Sequence, residues 1–200
     1  MKGTPGSRRD LEAPAGRRPT TVRAVVLVGF MGAGKTSVGR ALARRLRWTF
    51  EDLDDRVEAR ERRRIGEIFR EAGEAEFRRA EFQALREALA QAGTGPARIL
   101  AVGGGAFVQP ENASLLDHPE TPTVFLHAPV DELWRRCVAD TVDRPLRRKE
   151  DEFRRLYEAR RPRYLRARLR VETGGQEIER IVDEIVNGLG LSHVVSAEEK

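Results

Sequence analysis

Residues Gly29-Phe30-Met31-Gly32-Ala33-Gly34-Lys35-Thr36 fit the pattern G-x-x-x-x-G-K-[ST]. At ordinary glycine frequency a chain of this length meets the pattern by accident about one time in a hundred. Its chemistry is specific. The glycines let consecutive amides turn inward and form a concave set of N–H donors around a β-phosphate. Lys35 carries a point charge to the β- and γ-phosphates, and the Thr36 hydroxyl is a ligand for Mg2+. A helix opening near Gly34 adds its positive N-terminal end. Gly32, Ala33, Gly34, Lys35, Thr36 and Ser37 are therefore the candidate nucleotide-phosphate residues. The bland alternative is an ordinary strand–turn–helix corner with a stray lysine.

Other residues carry the chemistry that such a cradle needs beside it. Phe50-Glu51-Asp52-Leu53-Asp54 closes a short strand-like run. On an extended segment residues two apart point the same way, so Asp52 and Asp54 can face one crevice. One carboxylate near Mg2+ and one on an acceptor hydroxyl would suit phosphoryl transfer to an alcohol. The competing explanation is that Asp54 or Asp55 only caps a helix. In Gly73–Glu81, Glu81 falls on the apolar stripe of Phe77, Ala84, Leu85, Ala88, Leu89 and Ala92. An inward carboxylate needs a partner, and Arg78, one turn back, is the local candidate. Glu81 would then fix a guanidinium for an anionic substrate, unless the pair is purely structural. Gly103-Gly104-Gly105 exposes backbone amides after an apolar run, where the alternative is a flexible turn. Asp140–Glu150 is polar, contains Arg144, and fits a mobile lid that excludes water. Arg160 and Arg161 stand where a helix is expected to end at Pro162, in reach of the crevice or on a plain surface.

Along the chain that must position these residues, strand-like and helix-like patterns alternate. That argues for an α/β protein with a parallel sheet covered by helices on both faces. Strands are expected at Arg23–Gly29, Trp48–Phe50, Arg98–Val102, Thr123–His127 and Leu169–Val171. Helices are expected over 34–45, over 54–92 with breaks near Arg63 and Gly73, and over 130–139, 150–161 and 176–188. Residues 1–21 read as a disordered leader, 22–190 as one domain, and 191–200 as a frayed tail.

Composition narrows the partners. The net charge of +5 is almost entirely arginine, since lysine occurs only at 2, 35, 149 and 200. The arginines alternate with carboxylates, as in Glu58–Arg62, without the aromatic interleaving of a single-strand platform. An anionic small substrate accounts for several of them better than nucleic acid does. A single cysteine, Cys137, excludes an internal disulfide. There is neither an apolar run long enough to span a membrane nor an apolar signal segment, and a cytoplasmic monomer is expected.

Taken in order, these motifs resemble shikimate kinases over residues 23–188. The resemblance rests on Gly29–Thr36, Phe50–Asp54, Glu67-Ile68-Phe69, Gly73–Glu81, Gly103–Gly105, Arg144-Pro145-Leu146 and Arg160-Arg161-Pro162-Arg163-Tyr164. The likeness implies a five-stranded parallel sheet in order 2-3-1-4-5 of the P-loop type. The implied reaction is transfer of the ATP γ-phosphate, with Mg2+, to the 3-hydroxyl of shikimate. It further implies that Asp54, Arg78, Gly104 and Arg160 hold shikimate, the two arginines on its carboxylate. Asp52 would sit near Mg2+, Arg144 would swing in from the lid, and Arg136 would stack on adenine. Catalysis would fall to Lys35, Asp54 and Arg144. The sequence departs from the family at Arg64, at a glycine missing just upstream, and at Arg147. The rivals are another small-metabolite kinase of the same build, such as a gluconate kinase, and a non-catalytic nucleotide-binding regulator. The first has no reason to keep both arginines on a carboxylate. Intact Lys35, Thr36, Asp52 and Asp54 speak against the second.

Overall fold

β1 (Ala24–Val28) is apolar and buried at every position, as a strand covered on both faces must be. It lies at the centre of a five-stranded sheet seen in a computed structural model that describes residues 22–139 and 149–191. β3 (Arg98–Ala101) flanks β1 on one side and β4 (Thr123–His127) on the other. β2 (Thr49–Asp52) and β5 (Leu169–Glu172) form the edges. All four pairings are parallel, and the order β2-β3-β1-β4-β5 is the one the resemblance implied. Because connections leave β1 and β3 toward opposite sides, the carboxyl ends of the central strands open a crevice. The candidate residues collect along that edge.

The helices follow the expected pattern with four differences. α1 (Lys35–Leu46) buries Val38, Leu42, Ala43 and Leu46. α2 (Leu53–Glu61) begins directly after β2, so Asp54 stands in a first helical turn and not on an extended segment. The cause is Asp52, whose side chain accepts from the Asp54 N–H at 3.1 Å and caps the helix. The capping role therefore falls on Asp52, not on Asp54 or Asp55. α3 (Ile65–Thr94) is broken at Gly73, whose φ of 81° and ψ of 175° leave the helical region. The break near residue 63 is the turn between α2 and α3. There Arg62 takes a left-handed conformation, φ 54°, close to where the family's glycine is missing.

Residues 106–122 lack a periodic apolar stripe, yet they hold two elements. A short 3-10 helix (Ala106–Val108) is followed by α4 (Pro110–Leu116), with proline in its first turn. Asn112, buried, donates to the Ala106 carbonyl at 3.0 Å and joins the two. α5 (Val130–Ala139) follows β4 with the expected bounds. α6 (Glu150–Tyr164) does not stop at Pro162 but runs one turn past Arg161. Proline there forfeits one backbone bond near the helix end, while Tyr164 beyond it is fully buried and outweighs that loss. α7 (Ile178–Leu189) closes the chain against α1. Among the described residues no helix is long and apolar enough to cross a membrane. The expected leader 1–21, lid residues 140–148 with Arg144 and Arg147, and tail 192–200 lie outside the described residues.

Candidate active site

β1 ends in a loop whose backbone only glycine accepts readily. Gly29, Gly32 and Gly34 have φ of 149°, 78° and 87°. A Cβ on Gly32 would lie 2.7 Å from the Leu133 carbonyl oxygen, so α5 closes the back of the loop. Gly34 is the N-cap of α1 without a side-chain cap, and no acidic residue occupies the first turn. The first amides of the helix are thus left to an anion, with the positive helix end behind them. Lys35 Nζ donates to the carbonyls of Gly29 at 3.0 Å and Phe30 at 3.1 Å, which holds the ammonium across the loop. Thr36 and Ser37 are exposed at its mouth, and Ala33 is buried.

The Thr36 hydroxyl donates to Asp52 Oδ2 at 3.2 Å. The two candidate metal ligands, sixteen residues apart, are therefore adjacent. A hydroxyl and a carboxylate, both hard oxygen donors beside a phosphate cradle, fit Mg2+. Arg136 flanks the loop. Its guanidinium donates to the Gly32 carbonyl at 3.3 Å and the Thr173 carbonyl at 2.8 Å, and it pairs with Glu132. Thr173, itself buried, donates to the His127 carbonyl at 3.0 Å. Loop, α5 and the turn after β5 are thereby tied together.

A second cluster forms around the glycine triplet, with polar side chains facing each glycine. A Cβ on Gly103 would stand 2.9 Å from Asp54 Oδ1. One on Gly104 would stand 3.5 Å from the Tyr164 hydroxyl and 3.6 Å from Arg160 Nη1. One on Gly105 would stand 2.8 Å from Arg78 Nη2. Asp54, Arg78, Gly104 and Arg160, drawn from four separate segments, therefore converge.

Charge is arranged with care here. Arg78 Nη1 donates to Glu81 at 2.9 Å, and its other nitrogens donate to Glu74 at 3.0 and 3.2 Å. Glu81 is 1% exposed. Burial pushes its pKa up, while Arg78 opposes the rise and nearby Asp54 adds to it. The Arg78 guanidinium is raised in turn: burial is the largest influence and works against it, but the charges and hydrogen bonds of Glu81 and Glu74 together outweigh it. The expected pairing thus exists, with Glu74 as a second acceptor. Across the crevice the Arg160 guanidinium lies 5.9 Å from the centre of the Phe30 ring. Tyr164 donates to the Gly104 carbonyl and also bonds Arg160, and burial pushes its pKa up to about 12.

Sequence reasoning missed Glu74, Tyr164, Glu132 and Thr173. Glu74 and Tyr164 sit inside motifs already singled out, and Tyr164 could have been suspected as the one residue able to anchor the α6 terminus. Nothing local marks Thr173.

A sequence model of the shikimate kinase family matches residues 31–189. A shikimate kinase of Thermus thermophilus is 40% identical over 182 residues, covering 90% of this chain and 94% of its own length. One of Caulobacter vibrioides is 42% identical over 178 residues, covering 88% and 86%. The solved shikimate kinase from Acinetobacter baumannii in complex with shikimate superposes with a TM-score of 0.76 at 34% identity, covering 88% of this chain and 97% of that one.

Proposed function

The chain belongs to the shikimate kinase family, and on that footing we propose that it transfers the γ-phosphoryl group of ATP to the 3-hydroxyl of shikimate. The observation that supports this most is the triplet Gly103–Gly105 faced by Asp54, Arg160 and Arg78. It offers a small pocket with one carboxylate and two guanidinium groups, beside a phosphate cradle. A hydroxylated carboxylic acid matches both halves of that set.

In this reading Arg78 and Arg160 clamp the acceptor carboxylate, and Glu81 with Glu74 holds the Arg78 fork in place before the acceptor arrives. Charge-assisted bonds of this kind contribute about 1.5–3 kcal/mol each. The Gly104 backbone lets the acceptor ring approach closely. Asp54, on the first turn of α2, accepts the proton of the attacking hydroxyl. Lys35 moves from the loop carbonyls to the β- and γ-phosphates as nucleotide enters. The amides of Gly32–Ser37 take the phosphate oxygens. Thr36 and Asp52 would hold Mg2+, which neutralises phosphate charge when bound. Arg136 lies beside the adenine end, and Arg144 is carried by its motif alone. The protein would act as a cytoplasmic monomer without nucleic-acid or membrane partners. ADP release with Mg-ATP, offering shikimate, gluconate or no acceptor in parallel, tests the reading. Release that depends on shikimate is expected. Equal release with gluconate, or release without any acceptor, would overturn it.

A further inference from the structure

A surface concavity of about 570 Å3 lies on the opposite edge of the sheet from the phosphate cradle. Its volume is in the range of small-molecule sites. One wall is the segment 113–123, which leads from α4 into the amino end of β4. The other is the last turn of α6 and the approach to β5, which supply Arg163, Arg166 and Arg168. The floor includes the buried side chains of Phe107 and Leu116.

The backbone fixes these arginines more firmly than their exposure implies. The Arg166 N–H bonds the Arg163 carbonyl at 3.0 Å, and the Ala167 N–H bonds the Tyr164 carbonyl at 3.0 Å, so the helical turn continues past α6. Residues three apart on such a turn point to one side. The Arg168 N–H donates to the Thr123 hydroxyl at 3.2 Å, and its guanidinium donates to the Pro119 carbonyl at 3.2 Å, which joins the two walls. Arg168 is thus partly engaged. Arg163 and Arg166 make no side-chain hydrogen bond or ion pair among the described residues. Elsewhere Arg56, Arg60, Arg64, Arg78, Arg98 and Arg154 each have a carboxylate. The only acidic residue lining the concavity is Asp117, and His118 stands beside it. Two unengaged guanidinium groups beside an apolar floor match a divalent oxyanion attached to an apolar body, and neither half alone accounts for the site. We propose that this concavity is a second binding site, for a small organic phosphate monoester, distinct from the cradle and the acceptor pocket.

The test is calorimetric titration of the full chain with phenyl phosphate, after Mg-ADP and shikimate have filled the other sites. Inorganic phosphate, benzoate and benzyl alcohol serve as comparison probes. Phenyl phosphate should bind at one site, at least tenfold tighter than inorganic phosphate or benzoate, and benzyl alcohol should give no heat. The double variant Arg163→Ala/Arg166→Ala should weaken phenyl phosphate at least tenfold with turnover unchanged, because both side chains are exposed. Amide shifts of Leu116 and His118 should move on titration in the parent and not in the variant. The proposal is overturned if phenyl phosphate gives no saturable heat, if it binds both proteins alike, or if inorganic phosphate binds as tightly.

Discussion

The substitution Gly105→Ala tests the acceptor clamp without touching any charged residue. Gly105 has φ −94° and ψ −19°, which alanine adopts without strain, so the backbone should not object. The new methyl carbon, however, would lie 2.8 Å from Arg78 Nη2, 2.9 Å from Nη1 and 3.1 Å from Cζ. Ordinary contact begins near 3.4 Å, so the guanidinium must retreat by several tenths of an ångström. It is a terminal group and can do so, which spares stability. Its bonds to Glu81 and Glu74 limit the direction of retreat and carry the fork off its aim. Losing about half of a charge-assisted bond worth about 1.5–3 kcal/mol is a loss of about 0.75–1.5 kcal/mol, reaching about tenfold at the upper end. Steady-state kinetics should show the KM for shikimate raised by up to about tenfold, that for ATP changed less than about threefold, and Tm within a few degrees of the parent. An unchanged KM for shikimate, or an equal rise for ATP, would refute the placement of Arg78 in the acceptor pocket.

Other perturbations address separate parts of the site. Lys35→Ala should abolish ADP release while leaving the thermal unfolding curve in place, since Lys35 lies in the loop and is not part of the apolar core; an unfolded variant, or one with normal turnover, contradicts the cradle assignment. Asp54→Asn should lower kcat at least about a hundredfold, the scale of a positioned base, and near-normal turnover would return Asp54 to a purely structural role. Both tyrosines, Tyr157 and Tyr164, have raised pKa values, burial being the leading cause, and for Tyr164 the rise is to about 12, so absorbance at 295 nm should show Tyr164 still protonated at pH 10 in the folded protein. Because folding favours protonated Tyr164, its contribution, on the order of 3 kcal/mol, is complete below pH 10 and is lost as pH rises through about 12; a step at pH 10 with the amplitude of both tyrosines and the fold intact would contradict that burial. Arg62→Gly should raise stability by less than about 1 kcal/mol, because relief of the left-handed strain slightly exceeds the chain entropy glycine adds. A fall in Tm would mean that the Arg62 side chain does more than its backbone suggests.

The three inner strands were legible because each is a short, largely apolar buried run, and residues with a job stand at or just past strand ends: Gly29 follows β1, Asp52 ends β2 and Gly103 lies two residues past β3. The cradle was legible because its chemistry is local. Arg78 and Glu81 were paired correctly because helical spacing dictates the contact. What periodicity could not reveal were contacts made across the fold. Asp52 caps α2 and meets Thr36 at once, a double role that no spacing rule separates from a carboxylate that only faces a ligand. Pro162 reads locally as a stop, and only the burial of Tyr164 against the far side of the triplet explains why the helix continues. α4 escaped because a seven-residue helix burying little more than Asn112 and Leu116 has too few apolar positions to show a period.

Phe30 occupies one of the free positions in the phosphate-loop pattern, yet it is fully buried and packs edge-on against Phe153 at 4.8 Å and Tyr157 at 5.5 Å. Those rings belong to α6, the helix that also carries Arg160 and Tyr164. On the proposed assignment the donor cradle and the acceptor clamp share a keystone, and the loop is not an exchangeable module. A phosphate loop transplanted from another nucleotide-binding protein with a small residue at position 30 would still cradle phosphate. It would also withdraw the wedge that sets α6, so an apparently conservative graft on the nucleotide side should be felt first by the acceptor.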